Sequence, residues 1–103
     1  MELNPGLIER MVRVRLLLMD CDGVLTDGRL YFSANGEELK VFDVKDGQGL
    51  VMWHQAGFRS GIISGRNSKI VETRARQLGI EFVHQGSSEK SEPFENIIVE
   101  AGV

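Results

Sequence analysis

The chain has 103 residues, one domain's worth of polypeptide and enough for a single hydrophobic core. Its composition is ordinary for a globular protein, 42% hydrophobic and 26% charged, without low-complexity tracts or internal repeats. A formal charge of −3 argues against a nucleic-acid partner, because phosphate binding needs a basic face.

Residues 1–13 contain Glu2, Glu9, Arg10 and Arg13, too charged for a signal peptide's apolar core or a targeting helix. Asn4-Pro5 reads as an N-cap followed by proline at the first helical position, predicting a short helix to about Met11. "VRLLLMD" is a continuous apolar run ending at Asp20, the pattern of a strand buried on both faces. Its apolar core, Leu16–Met19, falls far short of the ~20 residues that span a bilayer, so no membrane partner is expected. The single cysteine, Cys21, excludes an internal disulfide and fits a reducing compartment, which predicts a cytoplasmic protein.

"RLYFSANGEELKVFDV" holds two β-prone segments around Asn35-Gly36, the strongest short hairpin signal. A helix is expected from Asp46 to Gln55, capped by Gly57. "FRSGIIS" (58–64) reads as a second apolar strand. Asn67 can cap a helix whose Ile70, Val71, Ala75 and Leu78 share one face and which Gly79 ends. "IEFVHQ" (80–85) is a third strand, and a last helix carries Phe94, Ile97, Ile98 and Ala101, with Pro93 near its start and Gly102 beyond it.

Apart from the hairpin, strands and helices alternate, which implies an α/β fold with a parallel sheet and right-handed crossovers. Ligands in such sheets sit beyond the carboxyl ends of the strands. Asp20, Ser64 and Gln85 all fall at those ends.

In extended backbone, residues i and i+2 point the same way. Asp20 and Asp22 should therefore face one site, with Cys21 turned away. Two close carboxylates repel, so one takes up a proton or both recruit a cation, and oxygen-preferring Mg²⁺ suits them. A polar strand-end turn would carry the same residues.

"DCDGVLT" matches the first motif of the haloacid dehalogenase superfamily, with Ser64 resembling the second and Lys90, at a helix start, the third. "DGRLYFSANGEELKVFDVKDGQGL" followed by "GIISGR" resembles, more narrowly, the capless sugar-acid phosphatases of that superfamily. The resemblance runs from about residue 13 to the end of the chain. It implies a Rossmann-like three-layer fold over 1–103 as a single domain, with a hairpin flap at about 29–45. It also implies a Mg²⁺-dependent phosphatase of lipopolysaccharide synthesis. The expected substrate is 3-deoxy-D-manno-octulosonate 8-phosphate, or a nonulosonate 9-phosphate or other small phosphate.

By the same resemblance, Asp20 is the nucleophile that becomes an aspartyl-phosphate, Asp22 the acid and base, and both take part in holding the metal. Ser64 offers a hydroxyl and Lys90 a positive charge to the phosphoryl group. Backbone N–H groups near Gly23 and Gly65 would complete the cradle. Arg66 is a candidate for the substrate carboxylate, and Lys40, Lys45 and Asp46 for sugar contacts. Taken singly, Ser64 reads as a turn residue, Lys90 as a solvated lysine, Arg66 as a surface arginine and Thr26 as a loop brace.

Cys21 lacks an obvious base, and His54 and His84 are isolated, so none is expected to be catalytic. Gly47-x-Gly49 lacks the third glycine of a dinucleotide loop, Met52 standing in its place.

The hairpin's Tyr31, Phe32, Leu39, Val41 and Phe42 are more apolar surface than a free flap should expose. A homo-oligomer is therefore expected, a tetramer by the resemblance, the alternative being a flap folded onto its own domain. The family's fourth motif, an acidic pair after a further strand, has no counterpart before Val103, so a C-terminally incomplete fold is expected. "VRLLLM" would then keep an unpaired edge. Two rivals remain: a truncated non-catalytic assembly module, and a receiver domain. Receivers place the phosphorylated aspartate on a later strand, and neither "FRSGIIS" nor "IEFVHQ" ends in one.

Overall fold

A computed structural model describes residues 4–36 and 38–103. Helix α1 (Pro5–Met11) begins where Asn4 Oδ1 accepts the Gly6 N–H at 2.8 Å, as the Asn-Pro pair predicts, and none of its residues is buried. Strand β1 (Leu16–Met19) follows, and then a hairpin of β2 (Tyr31–Phe32) and β3 (Glu38–Leu39). After it come α2 (Val44–Gln55), β4 (Arg59–Ile63), α3 (Lys69–Leu78), β5 (Phe82–His84) and α4 (Ser91–Ala101).

The main sheet is parallel in the order β1-β4-β5, with Leu18 opposite Gly61 and Gly61 opposite Phe82. Period-two alternation divides its side chains between two cores. Ile62, Met19 and Val83 join Leu50, Val71 and Ala75 of α2 and α3 on one face. Leu16, Leu18, Ile63 and Phe82 meet Ile97 and Ala101 of α4 on the other. Helices on both faces give the three layers that the resemblance implies.

Several boundaries differ from expectation. The strand buried on both faces is β4, whose residues 60–63 are all buried, whereas β1 has one neighbour and leaves Leu17 39% exposed. Continuous apolarity marks both strands, but only the central one has a strand on each side. Helix α2 starts two residues before Asp46, because Asp43 caps it by accepting the Lys45 N–H at 2.7 Å. Ser68, not Asn67, caps α3 through the Val71 N–H.

In the hairpin, Tyr31 pairs with Leu39 and Phe32 with Glu38, so the loop between them is longer than a two-residue Asn-Gly turn. The Gly36 N–H donates to Ser33 O, and among the loop's described residues Gly36 alone takes a positive φ, of 78°. A tight primed turn would need Asn35 there too. The last-helix boundary is two residues earlier than Pro93, and Gly79 and Gly102 end α3 and α4 as expected.

Where α2 meets β4, Trp53 stacks on Phe58 with ring centroids 4.3 Å apart, and its indole Nε1 donates to Arg59 O at 2.8 Å. His54 spans the same region, contacting Leu78 O at 2.9 Å and Ser60 Oγ at 2.6 Å, so it braces the core. No helix among the described residues is long and apolar enough to cross a membrane.

Candidate active site

The carboxyl ends of β1 and β4 lie side by side, since Met19 is in register with Ile62. Asp20 therefore leaves the sheet beside Ile63, and buried Ser64 leaves it on the next strand. The Asp20 side chain is 43% exposed, out of the hydrophobic interior. Its Oδ2 pairs with Lys90 Nζ at 2.9 Å, and its Oδ1 accepts the Cys21 N–H at 2.7 Å. The hydrogen bond from Lys90 chiefly, helped by that amide, holds the Asp20 carboxyl below its ordinary pKa against the opposing effect of burial. Lys90 itself stands at the N-cap of α4, which brings the third strand-end loop over the first.

Cys21 points the other way and is fully buried, as the alternation predicts. Burial pushes its thiol up to about 11, with the Asp22 charge adding to the effect. The chain then turns sharply, three amide N–H groups from Val24, Leu25 and Thr26 donating to Cys21 O. Thr26 Oγ1 accepts from the Gly23 N–H at 3.3 Å and the Gly28 N–H at 3.2 Å, so Thr26 braces this loop.

Asp22 is one-quarter exposed and faces the hairpin. Its Oδ1 pairs with Lys40 Nζ at 2.8 Å, and its Oδ2 lies 3.9 Å from Arg66 Nε. Lys40 pairs at 2.8 Å with Glu38 as well, and its side chain is 2% exposed. Burial alone would lower the Lys40 pKa, but hydrogen bonds to the two carboxylates carry it above the ordinary lysine value. The Lys40 hydrogen bond chiefly lowers the Glu38 carboxyl, with a further bond from Ser68.

Asp20, Asp22, Ser64, Arg66 and Lys90 thus occupy one rim of the sheet. Arg66 contributes through its reach to Asp22 and its guanidinium, 5.9 Å from the Phe32 ring centroid. The Arg66 N–H donates to Ser64 Oγ at 3.3 Å, and Gly65 between them is exposed. Gly23 lies in the same loop, with its N–H directed to Thr26 rather than outward.

The three candidates for sugar contacts stand in two places. Lys40 is enclosed between Asp22 and Glu38. Lys45 and Asp46 start α2 and line a separate hollow with Leu25, Thr26, Asp27, Val41 and Phe42. No contact joins them to Asp20 or Lys90 among the bonds of the described residues. Glu38 is the residue sequence reasoning missed. The available signal was its i+2 spacing from Lys40, which puts both side chains on the face of β3 turned to Asp22.

Asp20 and Asp22 supply oxygen donors, the type a hard divalent cation takes. Among the described residues no group of three His, Cys, Asp or Glu could hold a metal. An ion here would be held by the Asp20 carboxylate and, as the resemblance implies, by the Asp22 backbone carbonyl, oxygen donors that suit Mg²⁺.

No protein-family model matches the chain. It is 41% identical over 95 residues to the 3-deoxy-D-manno-octulosonate 8-phosphate phosphatase of Salmonella typhimurium, over 92% of this chain and 50% of that protein. The solved structure of the Yersinia pestis 3-deoxy-D-manno-octulosonate 8-phosphate phosphatase matches with a TM-score of 0.92 and 38% identity, covering 95% of this chain and 53% of that one. The Moraxella catarrhalis phosphatase of the same name, solved in complex with a magnesium ion, a phosphate ion and a KDO molecule, gives 0.89 and 35% over 97% and 58%. The chain spans about half the length of the curated relatives it matches. Over that half, it is a homologue of the 3-deoxy-D-manno-octulosonate 8-phosphate phosphatases, with the haloacid dehalogenase fold.

Proposed function

We propose that this chain carries the phosphoryl-transfer centre of a Mg²⁺-dependent phosphatase for sugar-acid phosphates. The substrate is 3-deoxy-D-manno-octulosonate 8-phosphate, and the setting is lipopolysaccharide synthesis. The observation that carries the reading is the Asp20–Lys90 pair at 2.9 Å, at a strand end beside buried Ser64. An exposed carboxylate held ionised at such a rim is suited to nucleophilic attack. The relatives' names give the substrate class.

An Asp20 oxygen attacks phosphorus in line, and the bond from phosphorus to the sugar oxygen breaks. The Asp22 carboxyl gives its proton to that departing oxygen. A water then attacks phosphorus, Asp22 takes the water's proton, and the Asp20–phosphorus bond breaks to release phosphate. Lys90 and the Ser64 hydroxyl stabilise the phosphoryl oxygens throughout. A divalent cation, when bound at Asp20 and Asp22, supplies charge neutralisation between two anionic reactants.

Assembly through the hairpin belongs to the same reading. Leu30, Phe32, Leu39 and Val41 are each about half exposed, although Lys40 ties the hairpin's base to its own domain. A non-catalytic assembly module is the second reading, favoured by the absence of a third metal-binding acid among the described residues.

Phosphate release from a panel of sugar-acid phosphates, with and without Mg²⁺, separates the two. Turnover that needs Mg²⁺ and falls by roughly 10³-fold or more in Asp20→Asn supports the phosphatase. A folded chain that releases no phosphate supports the module, and turnover indifferent to Asp20→Asn removes the mechanism.

A further inference from the structure

The hairpin holds one charged group that the mechanism above does not use. Lys40 is almost wholly enclosed, yet its ammonium is 2.8 Å from Asp22 Oδ1 on one side and 2.8 Å from Glu38 Oε1 on the other. A lysine buried this deeply is rare unless it is paired, and enclosing it is costly without good geometry. A hydrogen bond to Asp22 Oδ1 and a short ion pair with Glu38 Oε1, an oxygen otherwise without a partner among the described residues, supply that pairing. One carboxylate follows β1 and the other lies on β3, separated by 16 residues.

We propose that Lys40 is a positioning residue that fixes Asp22 by its Oδ1, so that Oδ2 is the atom that exchanges the proton with the sugar oxygen and with water. The inference rests on the phosphatase reading. Lys40 touches neither phosphate nor sugar, because Asp22 and Glu38 enclose it. Oδ2 is left 3.9 Å from Arg66 Nε, beyond hydrogen-bond length, on a side chain that keeps a quarter of its surface exposed. Glu38 in turn anchors Lys40, which makes the orientation of Asp22 depend on the seating of the hairpin. General acid catalysis requires its donor within hydrogen-bond reach of the departing atom, and a swivelling carboxylate loses that reach.

Leaving-group chemistry tests this. An alkyl sugar oxygen needs a proton to depart, whereas the nitrophenolate of p-nitrophenyl phosphate departs without one. In Lys40→Met, kcat/KM for 3-deoxy-D-manno-octulosonate 8-phosphate should fall about tenfold or more beyond any fall for p-nitrophenyl phosphate, a fraction of what a general acid contributes. Lys40→Arg should recover part of that difference, and Glu38→Gln, a milder change, should show the same bias. Equal losses on both substrates would overturn the inference while leaving the phosphatase reading intact. If the parent chain turned over neither substrate, that reading would fall, and a crystal structure of Lys40→Arg and Lys40→Met would decide the positioning claim. An Asp22 carboxylate that rotates in Lys40→Met and keeps its place in Lys40→Arg supports it, and one that stays put in both overturns it.

Discussion

Asp20 and Cys21 are neighbours with opposite surroundings. The carboxylate lies at an open rim under the Lys90 charge, and the thiol is sealed in the core with its pKa at about 11. Native protein at pH 8 should therefore react with a thiol reagent far more slowly than denatured protein, because both access and thiolate are lacking. Rapid native labelling would contradict the packing. A thiol whose folded pKa lies above its unfolded value, about 8.5, favours the fold below that value. That contribution declines as pH rises towards about 11. Both side-chain directions were legible in "DCD", since they follow from the period of two alone. The Asp22–Lys40–Glu38 cluster was not legible, because it depends on how far the hairpin curls back over the first strand.

At the level of elements, close approach governs the sheet. A Cβ on Gly61 would meet Leu18 Cδ2 at 2.8 Å and Phe82 Cβ at 2.9 Å, neighbours on both flanking strands. Gly61→Ala should cost ~1–3 kcal/mol, read as a lower urea midpoint at unchanged m value. An unaltered midpoint would mean that the strands part more readily than their register suggests. Strands and helices were legible from apolar periodicity, their ends less so. Ser68 caps α3 where Asn67 was expected, two adjacent residues of equal capping aptitude. The longer hairpin loop hid behind an Asn-Gly pair, the spelling of a tight turn.

Taken whole, the molecule is less compact than its length allows. Its radius of gyration is 15.1 Å, against about 13 Å expected for a chain of this size. Helix α1 buries no residue, and the hairpin leaves Phe32 and Leu39 each 56% exposed. Light scattering should give a mass above that of one chain, lowered by Phe32→Ser with Leu39→Ser. A monomer at every concentration would remove assembly from the reading. The parallel sheet could be foreseen from alternating strands and helices. The modest burial of β1 could be foreseen only in part, because an edge strand and a central one share the same apolar spelling.

Trp53, the chain's one tryptophan, sits where α2 hands over to β4, on its Phe58 partner. Native fluorescence is therefore a single-colour gauge of whether that joint is closed. Melting should redshift it, whereas phosphate settling beside Lys90 should leave the emission unmoved.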